Sequence, residues 1–171
     1  MYPDWILQKI QNENYSLEER LVSKLAEKKF TITTAESCTG GLIAGTIVNA
    51  AGASDVLKEG YITYSNEAKE HLVGVKTATL KEYGAVSEQT AREMAEGAAK
   101  AANADVALSA TGIAGPGGGT DEKPVGLVYI GCYICGITTV EEFRFTGSRI
   151  ENRLYTVERA LNAALEKLNK M

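Results

Sequence analysis

The spacing of hydrophobic and polar residues changes period several times along the chain, which predicts strands that alternate with helices. Residues 31–34 include three β-branched threonines and an isoleucine, which are typical of a strand. After a run of small residues, apolar side chains recur at helical spacing: Leu42, Ile43, Ile47 and Val48. A strand therefore runs directly into a helix that ends near residues 50–52, and residues 36–41 form the junction.

Capping signals predict further helices. Ser16 and Glu19 form a capping box that opens the first helix. Ser65 and Asn66 can cap a later helix, for which Gly74 is the C-terminal stop. The remaining helical patterns cover residues 77–83, residues 87–102 and the segment from about Ser148 onward.

Four more strands are predicted, at residues 58–64, 105–110, 126–135 and 137–145. The last two are joined at Gly136 as a hairpin, which adds antiparallel pairing to the sheet. Strands interleaved with helices, followed by a hairpin and a closing helix, predict an α/β fold, a three-layer α/β/α sandwich with a mixed β-sheet. Ligands of such open sheets bind beyond the C-terminal ends of the strands, so the turns after the strands are expected to converge on one pocket.

Chain length and apolar content predict one domain, at residues 16–171, preceded by an N-terminal extension at residues 1–15. The extension is predicted to be a short amphipathic helix, and its apolar residues are Tyr2, Trp5, Ile6 and Ile10. Whether it packs on the domain or on a partner subunit is left open by the sequence. Its apolar surface exceeds what a short terminal extension usually needs, which predicts a homo-oligomer, a dimer.

Charge and hydropathy exclude several classes of partner. The net charge of −4 argues against a general nucleic-acid-binding protein, which usually carries a basic patch. The N-terminus has no basic and apolar pattern of a signal peptide, and no segment reaches the length of about 20 apolar residues that a membrane helix needs. We therefore expect a cytoplasmic protein that binds neither nucleic acid nor membrane.

The three cysteines favour a reducing compartment over a disulfide framework. Cys132 and Cys135 form a C-x-x-C pattern, but they lie in an apolar β-rich run in which residues three apart face opposite sides. The chain has one histidine and no second cysteine pair. Core packing is therefore favoured over metal binding for these two thiols, and neither a metal nor a cofactor is expected.

The junction at residues 36–41 could hold negative charge, because the N–H groups at a helix N-terminus are unpaired and the helix dipole favours anions. An anion, or the oxyanion of a tetrahedral intermediate, would fit there. Ser37 is then placed as a nucleophile on a sharp strand-to-helix turn, although the G-x-S-x-G pattern of that turn is absent. The alternative is that Ser37 only caps the helix.

Two other segments carry candidate chemistry. Lys69 falls near the first turn of the helix that starts at Ser65, where the dipole lowers the pKa of a lysine and suits it to act as a base. The glycine-rich loop at residues 111–120 permits close backbone approach to a ligand, but it fits neither the dinucleotide nor the Walker pattern. A merely flexible connection is the alternative for this loop.

Five motifs in order identify a family: TAESCTGG from Thr34, YSNEAK from Tyr64, GAVSE from Gly84, SATGIAGPGGGTDEKPVG from Ser109 and FTGSR from Phe145. Together they resemble the C-terminal domain of the competence-damage-inducible CinA proteins, a domain that also occurs alone as nicotinamide mononucleotide amidohydrolase. The resemblance covers nearly everything from residue 16 onward. It implies hydrolysis of the nicotinamide carboxamide, which yields nicotinic acid mononucleotide and ammonia in pyridine nucleotide salvage.

The resemblance also implies a serine and lysine mechanism, which maps onto Ser37 and Lys69. His71, the one histidine, lies two residues from Lys69 on the predicted helix, so the two side chains cannot both face Ser37. Cys38 is the competing nucleophile, because a thiol is intrinsically more reactive at neutral pH.

Seven further residues complete the predicted site. The Tyr64 hydroxyl could assist proton transfer, and the N–H groups of Thr39 and Gly40 would stabilise the oxyanion. The substrate would be a small-molecule nucleotide. Its ribose phosphate would lie against three residues of the glycine-rich loop and one arginine: Thr111, Gly112, Gly117 and Arg149.

Two rival functions remain open. An amidase with a different small-amide specificity is the closer one, because nothing in the sequence itself names nicotinamide. A nucleotide-binding or regulatory module without catalysis is the other.

Overall fold

The structure is a computed structural model that describes residues 15–171. The helices are α1 (Leu17–Lys28), α2 (Leu42–Val48), α3 (Ala53–Val56), α4 (Asn66–Val73), α5 (Thr77–Tyr83), α6 (Glu88–Ala102) and α7 (Arg149–Asn169). The strands are β1 (Ile32–Glu36), β2 (Tyr61–Ile62), β3 (Val106–Gly112), β4 (Leu127–Ile134) and β5 (Ile137–Arg144).

The five strands form one mixed sheet in the order β2-β1-β3-β4-β5. The pairs β1–β2 and β1–β3 are parallel, whereas β3–β4 and β4–β5 are antiparallel. Helices connect the parallel strands, since a parallel pair needs a long crossover, and a tight turn at Gly136 suffices for the β4–β5 hairpin. The predicted mixed sheet is confirmed.

Helices cover both faces of the sheet. One face packs against α1, α2, α3 and α7, and its core includes Leu21, Ile43, Leu108, Ile130 and Leu161. The other face packs against α4, α5 and α6, where Met94 and Ala98 meet Ala35 and Ala107. These layers bury the apolar stripes that the helical periods predicted, so the three-layer α/β/α architecture is confirmed.

Helix starts follow their capping residues. Ser16 caps α1 with a complete capping box, and Ser148 does the same for α7. The hydroxyls of Ser65 and Ser87 accept backbone N–H groups at the starts of α4 and α6. These starts agree with the sequence prediction because capping is a local interaction.

Two local predictions are wrong. The strand expected at residues 58–64 is reduced to Tyr61–Ile62, since it lies at the sheet edge and the chain must turn at Ser65 to enter α4. Cys135 was expected in the core, but it is exposed in the hairpin turn with φ +46°. Cys132 is buried in β4 as predicted.

The predicted helix in the 1–15 extension lies, apart from Tyr15, outside the described residues. The dimer prediction depended on its apolar residues and therefore stays a prediction. Within residues 15–171, no helix combines the length and hydropathy of a membrane span. The same residues contain no group of three or more His, Cys, Asp or Glu side chains placed to hold a metal ion.

Candidate active site

The carboxyl ends of three parallel strands meet at one edge of the sheet. The Ser37 N–H, directly after β1, donates to the Ala110 carbonyl of β3 over 2.9 Å. The Thr63 N–H, directly after β2, donates to the Glu36 carbonyl over 2.8 Å. The turns after the three strands therefore begin side by side, which is the position of ligand sites in open α/β sheets.

Ser37 and Lys69 are in contact at this edge. The Lys69 Nζ lies 3.1 Å from the Ser37 Oγ, although the two residues are far apart in the chain. Lys69 is only 1% exposed and Ser37 9% exposed. The Ser65 cap starts α4 at Asn66, so that Lys69 reaches back from the first turn of that helix toward the end of β1.

The surroundings of Lys69 suit a neutral amine. Its Nζ also lies 2.9 Å from the Thr63 carbonyl oxygen and 3.5 Å from that of Ser65. Burial lowers the pKa of Lys69, while the Glu67 carboxylate acts in the opposite direction. A neutral amine can donate two N–H groups to these carbonyls and direct its lone pair at the Ser37 hydroxyl. Lys69 is therefore placed to take the serine proton.

Cys38, the competing nucleophile, is buried in this structure. Its side chain is 6% exposed and packs in the core on the α7 side of the sheet. Burial raises the pKa of the Cys38 thiol to about 12. The thiolate is the reactive form of cysteine, so burial disfavours Cys38 as a nucleophile relative to Ser37.

The N-terminus of α2 is already occupied by a carboxylate, which corrects the expectation that it would receive an external anion. The fully buried Glu36 side chain accepts the N–H groups of Gly41, Ile43 and Ala44 at 2.8–3.0 Å. Its negative charge satisfies the orphan donors and the dipole of the short helix. The sequence offered one signal for this role, an acidic residue placed shortly before a Gly-Gly helix start.

We expect Glu36→Gln to lower the free energy of unfolding by about 1–3 kcal/mol, because one buried N–H group then faces an amide donor instead of a carboxylate oxygen. Chemical denaturation measures this change. The matched control is Glu27→Gln on the exposed side of α1, which should change stability by no more than about 0.5 kcal/mol. Equal stability of the Glu36 variant and the wild type would show that the charge is not needed at this helix start.

Between Ser37 and the donors taken by Glu36, the N–H groups of Thr39 and Gly40 have no acceptor among the described residues. These are the two groups predicted for an oxyanion. Their peptides are held from α7 by Arg153, which donates to the carbonyls of Cys38 and Thr39. Sequence reasoning missed Arg153; its only signal was its position one helical turn after Arg149.

Tyr64 and Arg149 meet each other beside this edge. An Arg149 guanidinium N–H donates to the Tyr64 hydroxyl over 3.2 Å, and a second donates to the Gly115 carbonyl over 2.8 Å. The Tyr64 side chain is 61% exposed. In the described structure its hydroxyl contacts Arg149 and not Ser37 or Lys69, which favours a substrate-binding role over the predicted assistance in proton transfer.

The other predicted binding residues fall into two groups. The buried Thr111 hydroxyl donates to the Ala85 carbonyl, and a Cβ at Gly112 would lie 2.7 Å from the Leu127 carbonyl oxygen. Packing therefore explains both residues. Gly117 is exposed, and a Cβ there would meet no atom within 4 Å, which leaves open space on that part of the loop.

Three side chains fasten the glycine-rich loop. Arg149 holds the Gly115 carbonyl, and Asn152 donates to the Ala114 carbonyl over 3.1 Å. Just after the loop, the Lys123 ammonium donates to the carbonyls of Tyr83, at the end of α5, and Val86, between α5 and α6. A loop held at both ends fits a binding wall better than a merely flexible connection.

Comparison with known proteins agrees with this architecture. A family model described as the CinA C-terminal domain matches residues 14–168. A putative competence-damage inducible protein of Clostridium perfringens is 53% identical over 156 residues, which are 91% of this chain and 38% of that protein. One from Clostridium novyi is 58% identical over 146 residues, or 85% and 35% of the two chains. The chain thus spans less than two-fifths of these relatives.

Solved structures are similar over most of their length. The competence/damage inducible protein CihA from Agrobacterium tumefaciens has 46% identity and a TM-score of 0.86, with 90% of this chain and 93% of that chain covered. A competence-damaged protein (CinA) superfamily protein from Escherichia coli has 36% identity and a TM-score of 0.85, with 89% and 88% covered. Because fold and sequence agree over nearly the whole described chain, it belongs to the CinA C-terminal domain family.

Proposed function

We propose that this chain is an amidohydrolase that converts nicotinamide mononucleotide to nicotinic acid mononucleotide and ammonia through a seryl intermediate. The observation that carries the proposal is the buried contact of 3.1 Å between Lys69 Nζ and Ser37 Oγ. A serine next to a lysine with a lowered pKa is an activated nucleophile. Burying a lysine without a carboxylate partner costs stability, which a purely structural role would not require.

Acylation begins when neutral Lys69 takes the hydroxyl proton of Ser37. The serine oxygen forms a bond to the carboxamide carbon, and the carbonyl oxygen becomes an oxyanion beside the Thr39 and Gly40 N–H groups. Protonated Lys69 then gives its proton to the amide nitrogen as the C–N bond breaks. Ammonia leaves, and the nicotinoyl group stays on Ser37 as an ester.

Deacylation repeats the same proton transfers with water. Lys69 takes a proton from water, whose oxygen bonds to the acyl carbon and again generates an oxyanion at Thr39 and Gly40. The C–O bond to Ser37 then breaks, and Lys69 returns the proton to the serine oxygen. The carboxylic acid product releases its proton to solvent and leaves as a carboxylate, and no redox step or cofactor is needed.

Positive charge near the site supports a nucleotide substrate. Arg149 lies at the start of α7 and takes part in no ion pair within the described residues. Arg149 also reaches Gly115, at the start of the open part of the loop that contains Gly117. A guanidinium beside open backbone suits a phosphate group. The choice of nicotinamide as the base rests on the resemblance of the motifs.

A panel of amides tests the proposal by ammonia release. We expect turnover of nicotinamide mononucleotide, and a loss of at least about tenfold in kcat/KM for nicotinamide riboside, because it lacks the phosphate that Arg149 would bind. Arg149→Met should remove this preference by lowering kcat/KM for the mononucleotide alone. Arg144→Met, an exposed arginine on β5, is the matched control and should leave both values unchanged.

Other outcomes would select the rival functions. Release of ammonia from a different amide, but not from the mononucleotide, would replace the proposed substrate and keep the mechanism. Binding of the mononucleotide without any ammonia release from the panel would favour a regulatory module. We further propose that the protein is a cytoplasmic homodimer and that the reaction requires neither a metal nor a cofactor.

A further inference from the structure

Arg153, on α7, holds the turn that follows Ser37 by two hydrogen bonds to its backbone. Its Nε donates to the Cys38 carbonyl over 3.0 Å, and an Nη donates to the Thr39 carbonyl over 2.8 Å. The side chain is half-buried and crosses from α7 to the end of β1. A planar guanidinium with two parallel donors fixes two successive carbonyls more firmly than a single ammonium could.

These two carbonyls belong to the peptides that present the open N–H groups. The Cys38 carbonyl shares its peptide unit with the Thr39 N–H, and the Thr39 carbonyl shares its unit with the Gly40 N–H. A hydrogen bond to a peptide oxygen draws electron density from its nitrogen, so the N–H of the same unit becomes a stronger donor. Arg153 therefore acts on both candidate oxyanion donors at once.

The charges around the turn support this arrangement. Glu36 takes the N–H groups of Gly41, Ile43 and Ala44, whereas those of Thr39 and Gly40 have no acceptor among the described residues. No carboxylate in the described chain forms an ion pair with Arg153. Negative charge that develops on the far side of these peptides is then stabilised by a fixed cation.

We propose that Arg153 is a positioning residue that orients and polarises the Thr39 and Gly40 peptides, so that their N–H groups stabilise the tetrahedral oxyanion. The inference rests on the proposed serine amidohydrolase function. Arg153 acts on the transition state through the backbone and does not itself touch the substrate. Its loss should therefore lower kcat and leave KM nearly unchanged.

Two variants and one control test this role. We expect Arg153→Met to lower kcat by about 10- to 100-fold, less than the loss of about 100- to 1,000-fold that removal of a whole oxyanion donor causes. Arg153→Lys should recover part of the activity, because one ammonium can hold one carbonyl. The matched control is Arg92→Met, which removes an α6 arginine that donates to the Thr138 carbonyl of β5 and should leave kcat unchanged.

A boronic acid inhibitor distinguishes a loss of oxyanion stabilisation from a general loss of active-site structure. Pyridine-3-boronic acid accepts the Ser37 oxygen and becomes a tetrahedral anion, while the serine proton passes to Lys69. Its inhibition constant should rise in the Arg153 variants by about the factor by which kcat falls, whereas the affinity for the product nucleotide stays within about threefold. Thermal denaturation identifies variants that do not fold; if Arg153→Met is one, Arg153→Lys is compared with the wild type.

The results distinguish a failure of the proposed amidohydrolase function from a failure of the proposed role of Arg153. If the wild type releases no ammonia and forms no boronate adduct that depends on Ser37, the proposed function fails. If the wild type does both and the folded Arg153 variants keep its kcat and its boronate affinity, only the inference is overturned. A fall in kcat with unchanged boronate affinity also overturns it.

Discussion

The Ser37→Ala variant is expected to lose ammonia release by roughly 10⁴-fold or more, because the acyl intermediate can no longer form. Affinity for the nucleotide should stay within a few-fold, since Ser37 is only 9% exposed and offers little contact area. Steady-state ammonia release and equilibrium binding of the mononucleotide measure the two effects separately. Catalysis and binding are expected to separate at this residue.

Cys38→Ala is the matched control, since the two residues are adjacent and both carry a nucleophilic atom. Burial raises the pKa of the Cys38 thiol to about 12, so removal of the thiol should leave kcat within a few-fold. A small loss of stability is expected from the buried side chain. If Cys38→Ala stops the reaction and Ser37→Ala does not, the assignment of the nucleophile is wrong.

Lys69→Arg is expected to lower kcat by about 100- to 10,000-fold, the usual contribution of a general base. A guanidinium keeps the positive charge but cannot release its proton in the accessible pH range. Lys69→Met removes both charge and base and should be equally inactive. Lys76→Arg is the matched control, because the side chain of Lys76 is 76% exposed and its charge serves only a surface ion pair.

The pH dependence of the wild type follows from the same lysine. Burial lowers the pKa of Lys69 from its ordinary value of 10.5, so the neutral, active form accumulates at lower pH than in a free lysine. The rate should rise with pH through an apparent pKa below that value. High activity of Lys69→Arg, with the same pH profile as the wild type, would show that the lysine contributes only a positive charge.

Lys69 also links stability to pH. Its pKa is lower in the folded chain than in the unfolded chain, so between the two values the unfolded state binds more protons. The free energy of unfolding therefore rises with pH over this window, and at lower pH the buried lysine reduces stability. The protein thus retains a side chain that costs stability at neutral pH, which is common where a residue serves catalysis.

The order of the elements could be predicted because its signals are local. Ser16, Ser65, Ser87 and Ser148 each cap a helix through contacts three residues away, and the Gly136 hairpin depends on neighbouring residues alone. Parallel strands place their carboxyl ends together, so the meeting of the turns after β1 and β2 was also foreseeable. The pairing of Ser37 with Lys69 came from the resemblance and from this geometry.

The tertiary structure decided what surrounds that pair. Arg153 contacts the carbonyls of Cys38 and Thr39, which lie 115 and 114 positions earlier in the chain. The Tyr64 hydroxyl contacts Arg149, and burial raises the pKa of the Cys38 thiol. No local period encodes such contacts, since they depend on how α7 packs across the sheet. The sequence by itself determined which groups stand at the strand ends. Only the folded structure determined that the buried Glu36 carboxylate fills the start of α2, because a buried charge must find its partners inside the fold.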